Sequence, residues 1–312
     1  MRAIGQDTLG GPEVLRVIEV DRPEPGPAEV LIRVHAAGVN PTDSWHRASG
    51  GLPGVITPLG WDVSGVVEAV GLGVTLFAPG DEVFGMPRHP HPAGTYAEYV
   101  TAPARHLAHK PTNLSHLEAG GLPLVALTAW QALVDTADVR PGQRVLVHAA
   151  AGGVGQAAVQ IAKARGAHVV GTARADNHDL VRGLGADEVI DYTTTAFEEV
   201  ARDIDVVVDT IGGEYGPRSL RTLRAGGIVV SLASPAEAAL ADIARPLGSR
   251  AQFMIVEADR TGMLAIAELA REGALRVHVD TVVPLESASK AHEIADTQRT
   301  RGKIVLEVAQ NL

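Results

Sequence analysis

The rhythm of apolar and polar positions changes near residue 119. Before it, short alternating apolar runs cover 30–35, 62–70, 82–84 and 95–100, separated by turns such as Gly71-Leu-Gly73 and Gly80-Asp81. Alternation broken by frequent turns predicts many short strands and a partly open β-barrel. From about 119 to 258, β-branched runs recur at 145–147, 168–170, 188–190, 205–209, 227–231 and 252–256, with helical stretches between them. Strands alternating with helices predict a doubly wound parallel sheet. The tail predicts a helix over 262–272, a strand over 279–283, a helix over 287–296 and a last strand over 303–308. The fold class expected is α/β, with a β-barrel domain of residues 1–120 and 260–312 and a parallel-sheet domain of residues 121–259.

The most informative stretch is Val145-Leu-Val-His-Ala-Ala-Ala-Gly-Gly-Val-Gly155. It reads as a strand, a glycine turn and a helix, with Ala157, Ile161 and Ala164 on one helical face and Gly166 as C-terminal cap. Such a turn holds a dinucleotide pyrophosphate on backbone N–H groups at a helix N-terminus. The pattern is Ala150-x-Gly152-x-x-Gly155, with alanine in place of the first glycine, and the expected contacts are Gly152, Gly153, Val154 and Gly155. A structural glycine turn in a nucleotide-free domain is the alternative. The second strand is expected to end near Thr172, where an NAD-binding chain carries Asp or Glu. Here Arg174 follows. A guanidinium can bind a 2′-phosphate that a carboxylate would repel, which favours NADPH. Asp176 leaves NADH open, and a solvated surface arginine is the alternative for Arg174.

Composition narrows the field. With 27 Lys and Arg against 37 Asp and Glu, the chain carries a net charge of −10, which argues against a general nucleic-acid or anionic-membrane binder. Aromatic residues make up only 4%, too few for single-strand stacking platforms. There is no cysteine, so disulfides, cysteine nucleophiles and thiolate metal sites are excluded. No apolar run approaches the ~20 residues of a membrane helix. With no signal-peptide pattern at the start, a cytoplasmic protein is the expectation.

Several further motifs occur in a telling order: Ala36-Ala-Gly-Val-Asn-Pro-Thr-Asp43, Gly60-Trp-Asp-Val-Ser-Gly-Val-Val-Glu-Ala-Val-Gly71, Gly80-Asp-Glu-Val-Phe-Gly85, Gly94-Thr-Tyr-Ala-Glu-Tyr-Val100, Thr128-Ala-Trp130, Gly183-Leu-Gly-Ala-Asp187, Ile190-Asp-Tyr192 and Gly302-Lys-Ile-Val-Leu306. Over nearly its full length the chain resembles the medium-chain dehydrogenase/reductases of the zeta-crystallin-like quinone oxidoreductase branch. That resemblance implies a GroES-like barrel plus a Rossmann domain, NADPH as cofactor, and hydride transfer to a quinone or an α,β-unsaturated carbonyl compound. The zinc-dependent alcohol dehydrogenases of the superfamily carry a ligand cysteine where this chain has Asn40 and a ligand histidine where it has Trp61. Neither substitute suits Zn²⁺, so zinc-independent chemistry is expected. His89 and His91, two apart in a Pro-rich loop, match no metal motif. Reducing an activated C=C or a quinone requires alignment with the nicotinamide, hydrogen-bond donors for the developing oxyanion, and exclusion of water.

The resemblance implies the following site. Asn40 lies beside nicotinamide and substrate, where it polarises the substrate carbonyl or orients the ring; an Asn in a turn before Pro41 is the alternative. Thr128 contacts the nicotinamide portion. Trp45 replaces a tyrosine common in relatives and walls the pocket, its N–H too weak an acid to protonate a carbanion. His46 is a substitute proton donor or a surface histidine, and Arg47 faces the site or pairs with a carboxylate. Tyr192 lies near the adenosine phosphate, or is a core tyrosine. Ile211, Leu232 and Ala233 follow strands where the dinucleotide is expected. The segment 252–256 reads as an edge strand through which relatives pair, so a homodimer is expected. Two other readings remain: a reductase dedicated to one enoyl thioester or biosynthetic intermediate, disfavoured by the turn 49–53 lacking a tyrosine, and a non-catalytic NADPH-binding protein.

Overall fold

A computed structural model describes residues 1–51 and 54–308. Leu52 and Pro53, in the turn expected over 49–53, lie outside the described residues. The chain forms two compact units, Met1–Leu127 with Glu257–Leu312, and Thr128–Val256.

The first unit is built around the long strand Glu29–Val39. One edge of it pairs antiparallel with Val63–Val70. The other edge is shared, first by Tyr99–Pro103 opposite Glu29 to Arg33, then by the last strand Lys303–Glu307 opposite Ala36 to Val39. The sheet continues through Glu82–Gly85 and Leu107–His109 on one side and Val279–Pro284 on the other. The tail therefore returns to the first unit, in a GroES-like arrangement. Val30, Ile32, Val34, Val63, Val67, Val83 and Val100 pack on one face of this sheet, and strand alternation buries them as a set.

The second unit is a six-stranded, all-parallel sheet. In chain order its strands are Arg144–Val147, His168–Ala173, Glu188–Asp191, Ile204–Asp209, Leu223–Ser231 and Arg250–Phe253. In space they run third, second, first, fourth, fifth, sixth. This is the Rossmann order, and the direction of the strand sequence reverses between the first and fourth strands, where such sheets bind dinucleotides. All six residues of Ile204–Asp209 are buried, as a strand covered on both faces requires.

Some elements depart from the sequence expectation. The alternation over 95–100 yields a strand only from Tyr99; Thr95 and Tyr96 instead donate their backbone N–H groups to the carbonyls of Gly60 and Leu59. The edge strand expected over 252–256 runs from Arg250 to Phe253. In the helix Gly153–Ala164, Ala157 and Ile161 are buried but Ala164 is exposed, because the helix has turned its last residue to solvent. Gly166 takes positive φ just past that helix, and its N–H bonds the carbonyl of Lys163.

Candidate functional site

Two clusters carry candidate chemistry, one in each unit. In the second unit, strand Arg144–Val147 leads through His148 and Ala149 to the helix Gly153–Ala164, whose N-cap is Gly152. No side chain caps this first turn. The N–H groups at the start of a helix have no intrahelical partners, and no side chain occupies them here. Gly155 is dictated by close approach: a Cβ there would stand 2.2 Å from the Ala149 carbonyl oxygen and 2.7 Å from Ala150 Cα.

Thr172 is fully buried beneath the turn. Its carbonyl accepts the Ala150 N–H at 2.9 Å and its hydroxyl oxygen accepts the Ala149 N–H at 3.3 Å. Thr172, at the expected end of the second strand, thus supports the turn from beneath. The ring of His148 joins this arrangement, with Nδ1 3.3 Å from Thr172 Oγ1 and Nε2 2.9 Å from Ser219 Oγ. Burial pushes His148 down to about 3, so the ring is neutral and serves as a strut. Sequence reasoning passed over His148 because a histidine at the end of a strand has no distinguishing pattern.

Arg174 follows the second strand, exposed, and its Nε donates to the Tyr192 hydroxyl oxygen at 3.0 Å. Two residues singled out separately from sequence thus meet at one end of the sheet. Asp176 is exposed two residues on; the Tyr192 hydrogen bond first, and the charges of Asp191 and Asp176 after it, raise Arg174. Beyond the fourth strand, Asp209 Oδ1 accepts the N–H groups of Ile211 and Gly212, each at 3.0 Å. The Leu232 N–H donates to the Asp209 carbonyl at 2.9 Å. A Cβ on Gly212 would lie 2.8 Å from Ala233 Cβ, so the loops carrying Ile211, Leu232 and Ala233 touch. In a parallel sheet these strand ends, with the glycine turn, Arg174 and Tyr192, share one edge. Thr128 is buried at the start of this unit, on the helix Pro123–Trp130.

In the first unit, Asn40 caps the helix Pro41–Ser49, an element the apolar pattern did not announce. Asp43, at the third helical position, accepts the Asn40 N–H through Oδ2 at 2.8 Å and the Gly60 N–H through Oδ1 at 2.9 Å. The Asn40 side chain turns away from the helix: Nδ2 donates to Asp62 Oδ2 at 2.9 Å and to the Gly38 carbonyl at 3.5 Å. Its Oδ1 accepts from the Lys303 ammonium. Both amide protons thus have partners within the protein, the second at 3.5 Å. Burial pushes Asp43 up to about 7 against its two N–H donors, and pushes Asp62 up as well; burial lowers Lys303 while both carboxylates oppose that.

The helix next presents Trp45, 42% exposed, and His46, 5% exposed. The reading of His46 as a surface histidine is therefore corrected. Its ring lies edge-on to Trp45 and to Trp61, at centroid distances of 5.4 and 4.8 Å. Burial lowers its pKa, so at neutral pH it offers an N–H and not a labile proton. Arg47 is buried and pairs with Asp296 at 2.8 Å, His292 Nδ1 at 2.9 Å and the Gly10 carbonyl at 3.1 Å.

Comparison with known proteins follows the same division. The family described as "Alcohol dehydrogenase GroES-like domain" matches residues 26–112, and that described as "Zinc-binding dehydrogenase" matches residues 184–306. The quinone oxidoreductase of Mus musculus is 34% identical over 325 residues, covering 98% of this chain and 97% of the relative. The structure of the quinone oxidoreductase from Coxiella burnetii superposes with a TM-score of 0.93 at 35% identity, over 99% of both chains. That of Escherichia coli quinone oxidoreductase complexed with NADPH gives 0.87 at 28% identity, over 98% of this chain and 100% of the other. Fold and relatives together define an oxidoreductase. The chain belongs to the medium-chain dehydrogenase/reductase superfamily, in its quinone-oxidoreductase branch.

The zinc in one family description does not fit the residues present. Asn40 Oδ1 already receives an ammonium, and Trp61 is donor-only, its Nε1–H held by the His91 carbonyl at 2.8 Å. Among the described residues, no three His, Cys, Asp or Glu side chains are grouped to hold a metal.

Proposed function

We propose that this chain is an NADPH-dependent, zinc-independent reductase of quinones or α,β-unsaturated carbonyl compounds. The observation that carries the reading is the pair Asn40 and Trp61: at the positions where zinc-dependent relatives hold their metal, each has its polar side-chain atoms bonded within the protein. A site without a Lewis acid suits an electron-poor acceptor and not an alcohol. NADPH, when bound, supplies the hydride. The open turn at Gly152, Gly153, Val154 and Gly155 fits its pyrophosphate, and Arg174 beside Tyr192 fits its 2′-phosphate. Ile211, Leu232 and Ala233 flank the dinucleotide. Thr172 and His148 hold the turn in shape. In the first unit, Asn40 orients the segment that carries Trp45 and His46, Trp45 gives a flat apolar surface to a ring or enone, and water delivers the final proton. The same reading includes a homodimer through the edge strand Arg250–Phe253, because an unpaired strand edge otherwise invites association; light scattering that finds a monomer at micromolar concentration would remove that part.

The test is a titration of purified protein with NADPH and NADH. It is followed by loss of reduced-nicotinamide absorbance on adding 1,4-benzoquinone, 9,10-phenanthrenequinone, a simple enone or a crotonyl thioester, with and without a chelator. Chelator-resistant oxidation of NADPH by quinones or the enone is the expected result. Turnover of the thioester alone would replace the substrate assignment. Preference for NADH would overturn the reading of Arg174, and chelator-sensitive turnover that of Asn40 and Trp61.

A further inference from the structure

Lys303 opens the last strand, which pairs antiparallel with the far end of Glu29–Val39, Ile304 opposite Val39. That register sets the first residue of the last strand level with Asn40, 263 positions earlier in the chain. The Lys303 residue is 3% exposed. Its ammonium donates to Asn40 Oδ1 and to the Val39 carbonyl at 2.9 Å, and lies 3.5 Å from Asp62 Oδ2. Asp62 is fixed in turn, its Oδ1 accepting the Leu124 N–H at 2.6 Å. The backbone crowds the cluster shut: a Cβ on Gly38 would stand 2.5 Å from Asp62 Oδ2 and 2.8 Å from the Gly120 carbonyl oxygen.

The Asn40 carboxamide therefore lies between a cation at its oxygen and an anion at its nitrogen. A flip of the amide by 180° would set its NH₂ against the ammonium and its oxygen against the carboxylate, two repulsions among groups that are almost wholly buried. The two charged partners hold this side chain in one orientation. Through the Val39 carbonyl and Asn40 Oδ1 together, the same ammonium ties down the junction where strand becomes helix, and so the start of the helix that carries Trp45 and His46.

We propose that Lys303, with Asp62 as its counter-charge, is a positioning residue that fixes the Asn40 carboxamide and the first turn of the helix Pro41–Ser49 for reduction of the substrate. The functional half of this rests on the reading of that segment as the substrate side; the geometric half does not.

The experiment uses Lys303→Met, Lys303→Arg and the charge-balanced double variant Lys303→Met/Asp62→Asn, which removes both buried charges together so that folding is preserved if the single variant unfolds. Two readouts are taken. The first is the side-chain amide resonance of Asn40 in asparagine-labelled protein, assigned by its loss in Asn40→Ser. The second is kcat and KM with the best quinone or enone, alongside the NADPH dissociation constant. Expected are a shifted Asn40 amide resonance and a kcat at least tenfold lower in the double variant, with NADPH affinity within about twofold of wild type. Lys303→Arg should keep the resonance in place and kcat within about threefold. An Asn40 resonance unmoved in the folded double variant overturns the proposal. So does a kcat loss matched by equal loss of NADPH affinity, which marks general damage. If the resonance moves while the wild-type protein reduces no quinone or enone, Lys303 does position Asn40 and it is the substrate reading that fails.

Discussion

The two candidate clusters are built on opposite plans. In the parallel-sheet unit, groups at the strand ends are left available: the first-turn N–H groups of an uncapped helix and an exposed guanidinium. In the barrel unit the polar groups of Asn40, Asp43, Asp62 and Lys303 are closed on one another in a site with almost no solvent access. The first plan binds by offering donors to a ligand. The second holds a segment of backbone still. On the reading proposed above, Asn40 acts by holding that segment in place, whereas Arg174, bonded in the fold to Tyr192, acts by meeting a phosphate.

The sharpest break between the plans lies within the glycine turn. Gly155→Ala would drive a methyl group into the backbone of Ala149 and Ala150, so the turn itself must move. A loss of NADPH affinity of at least ~100-fold, about 2.7 kcal/mol, is expected together with a lower melting temperature. Gly152→Ala meets only the Ala149 carbonyl oxygen at 3.3 Å. It should leave melting unchanged and still weaken NADPH at least ~10-fold, if the proposed pyrophosphate site fills the space a methyl group would take. Fluorescence titration and thermal unfolding of both variants decide the matter. NADPH affinity unchanged by Gly152→Ala would mean that no phosphate sits against the turn.

How much of this was legible in the sequence follows from the same contrast. The glycine turn, Arg174 and the strand ends at Ile211 and Leu232 are local: each is specified within a few residues of a strand, and period and turn chemistry reveal it. The meeting of Arg174 with Tyr192 needed only the knowledge that successive parallel strands end on one edge. The barrel cluster joins residues 40, 43, 62 and 303, and no periodicity links a lysine that opens the last strand to an asparagine before a proline. Gly302-Lys-Ile-Val-Leu306 could be noticed as a motif, but its first strand residue reads as an ordinary edge lysine until the antiparallel register puts it beside Asn40. For a related reason the sequence left a surface histidine open at His46. Its burial comes from Trp61, fifteen positions away and on no common helical face.

The next prediction separates the two plans by cofactor. Arg174→Ala should weaken NADPH by about 30-fold, close to 2 kcal/mol, and leave NADH unchanged, since NADH lacks the 2′-phosphate. Tyr192→Phe removes the oxygen that holds Arg174 Nε but not the charge, and should cost about threefold, near 0.6 kcal/mol. Lys303→Met should alter neither ratio. Calorimetric titration with both nucleotides reads all three variants, and an equal loss for NADPH and NADH in Arg174→Ala would reduce Arg174 to a structural residue.

The last effect is a pH dependence peculiar to the closed cluster, smaller than the loss expected of Arg174→Ala. Asp43 is raised from its ordinary 3.8 to about 7 by burial, and the Asp62 charge adds to this; Lys303 and the N–H groups of Asn40 and Gly60 oppose it. Tyr96, its own phenol pushed far up by burial and then by Asp43, keeps its proton throughout. An acid that holds its proton more tightly folded than unfolded contributes stability that is full below pH 4 and is lost as pH rises through 7. From pH 6 to pH 8 the loss amounts to about 1.4 kcal/mol for a single group titrating at its midpoint. The buried His148 and His292 and the half-buried His116 slope the other way. His148 is down to about 3 and His116 and His292 to about 4, so each adds stability as pH climbs toward 6.5. The measurable quantity is therefore the stability of wild type minus that of Asp43→Asn, in which the histidines cancel. Asn at this position still accepts the Asn40 N–H through its oxygen but turns its NH₂ toward the Gly60 N–H, a cost that does not change with pH. Chemical unfolding at pH 6, 7 and 8 should show that difference shrinking by about 1.4 kcal/mol. A constant difference would mean that Asp43 is already ionised at pH 6, its two N–H donors and Lys303 having outweighed burial.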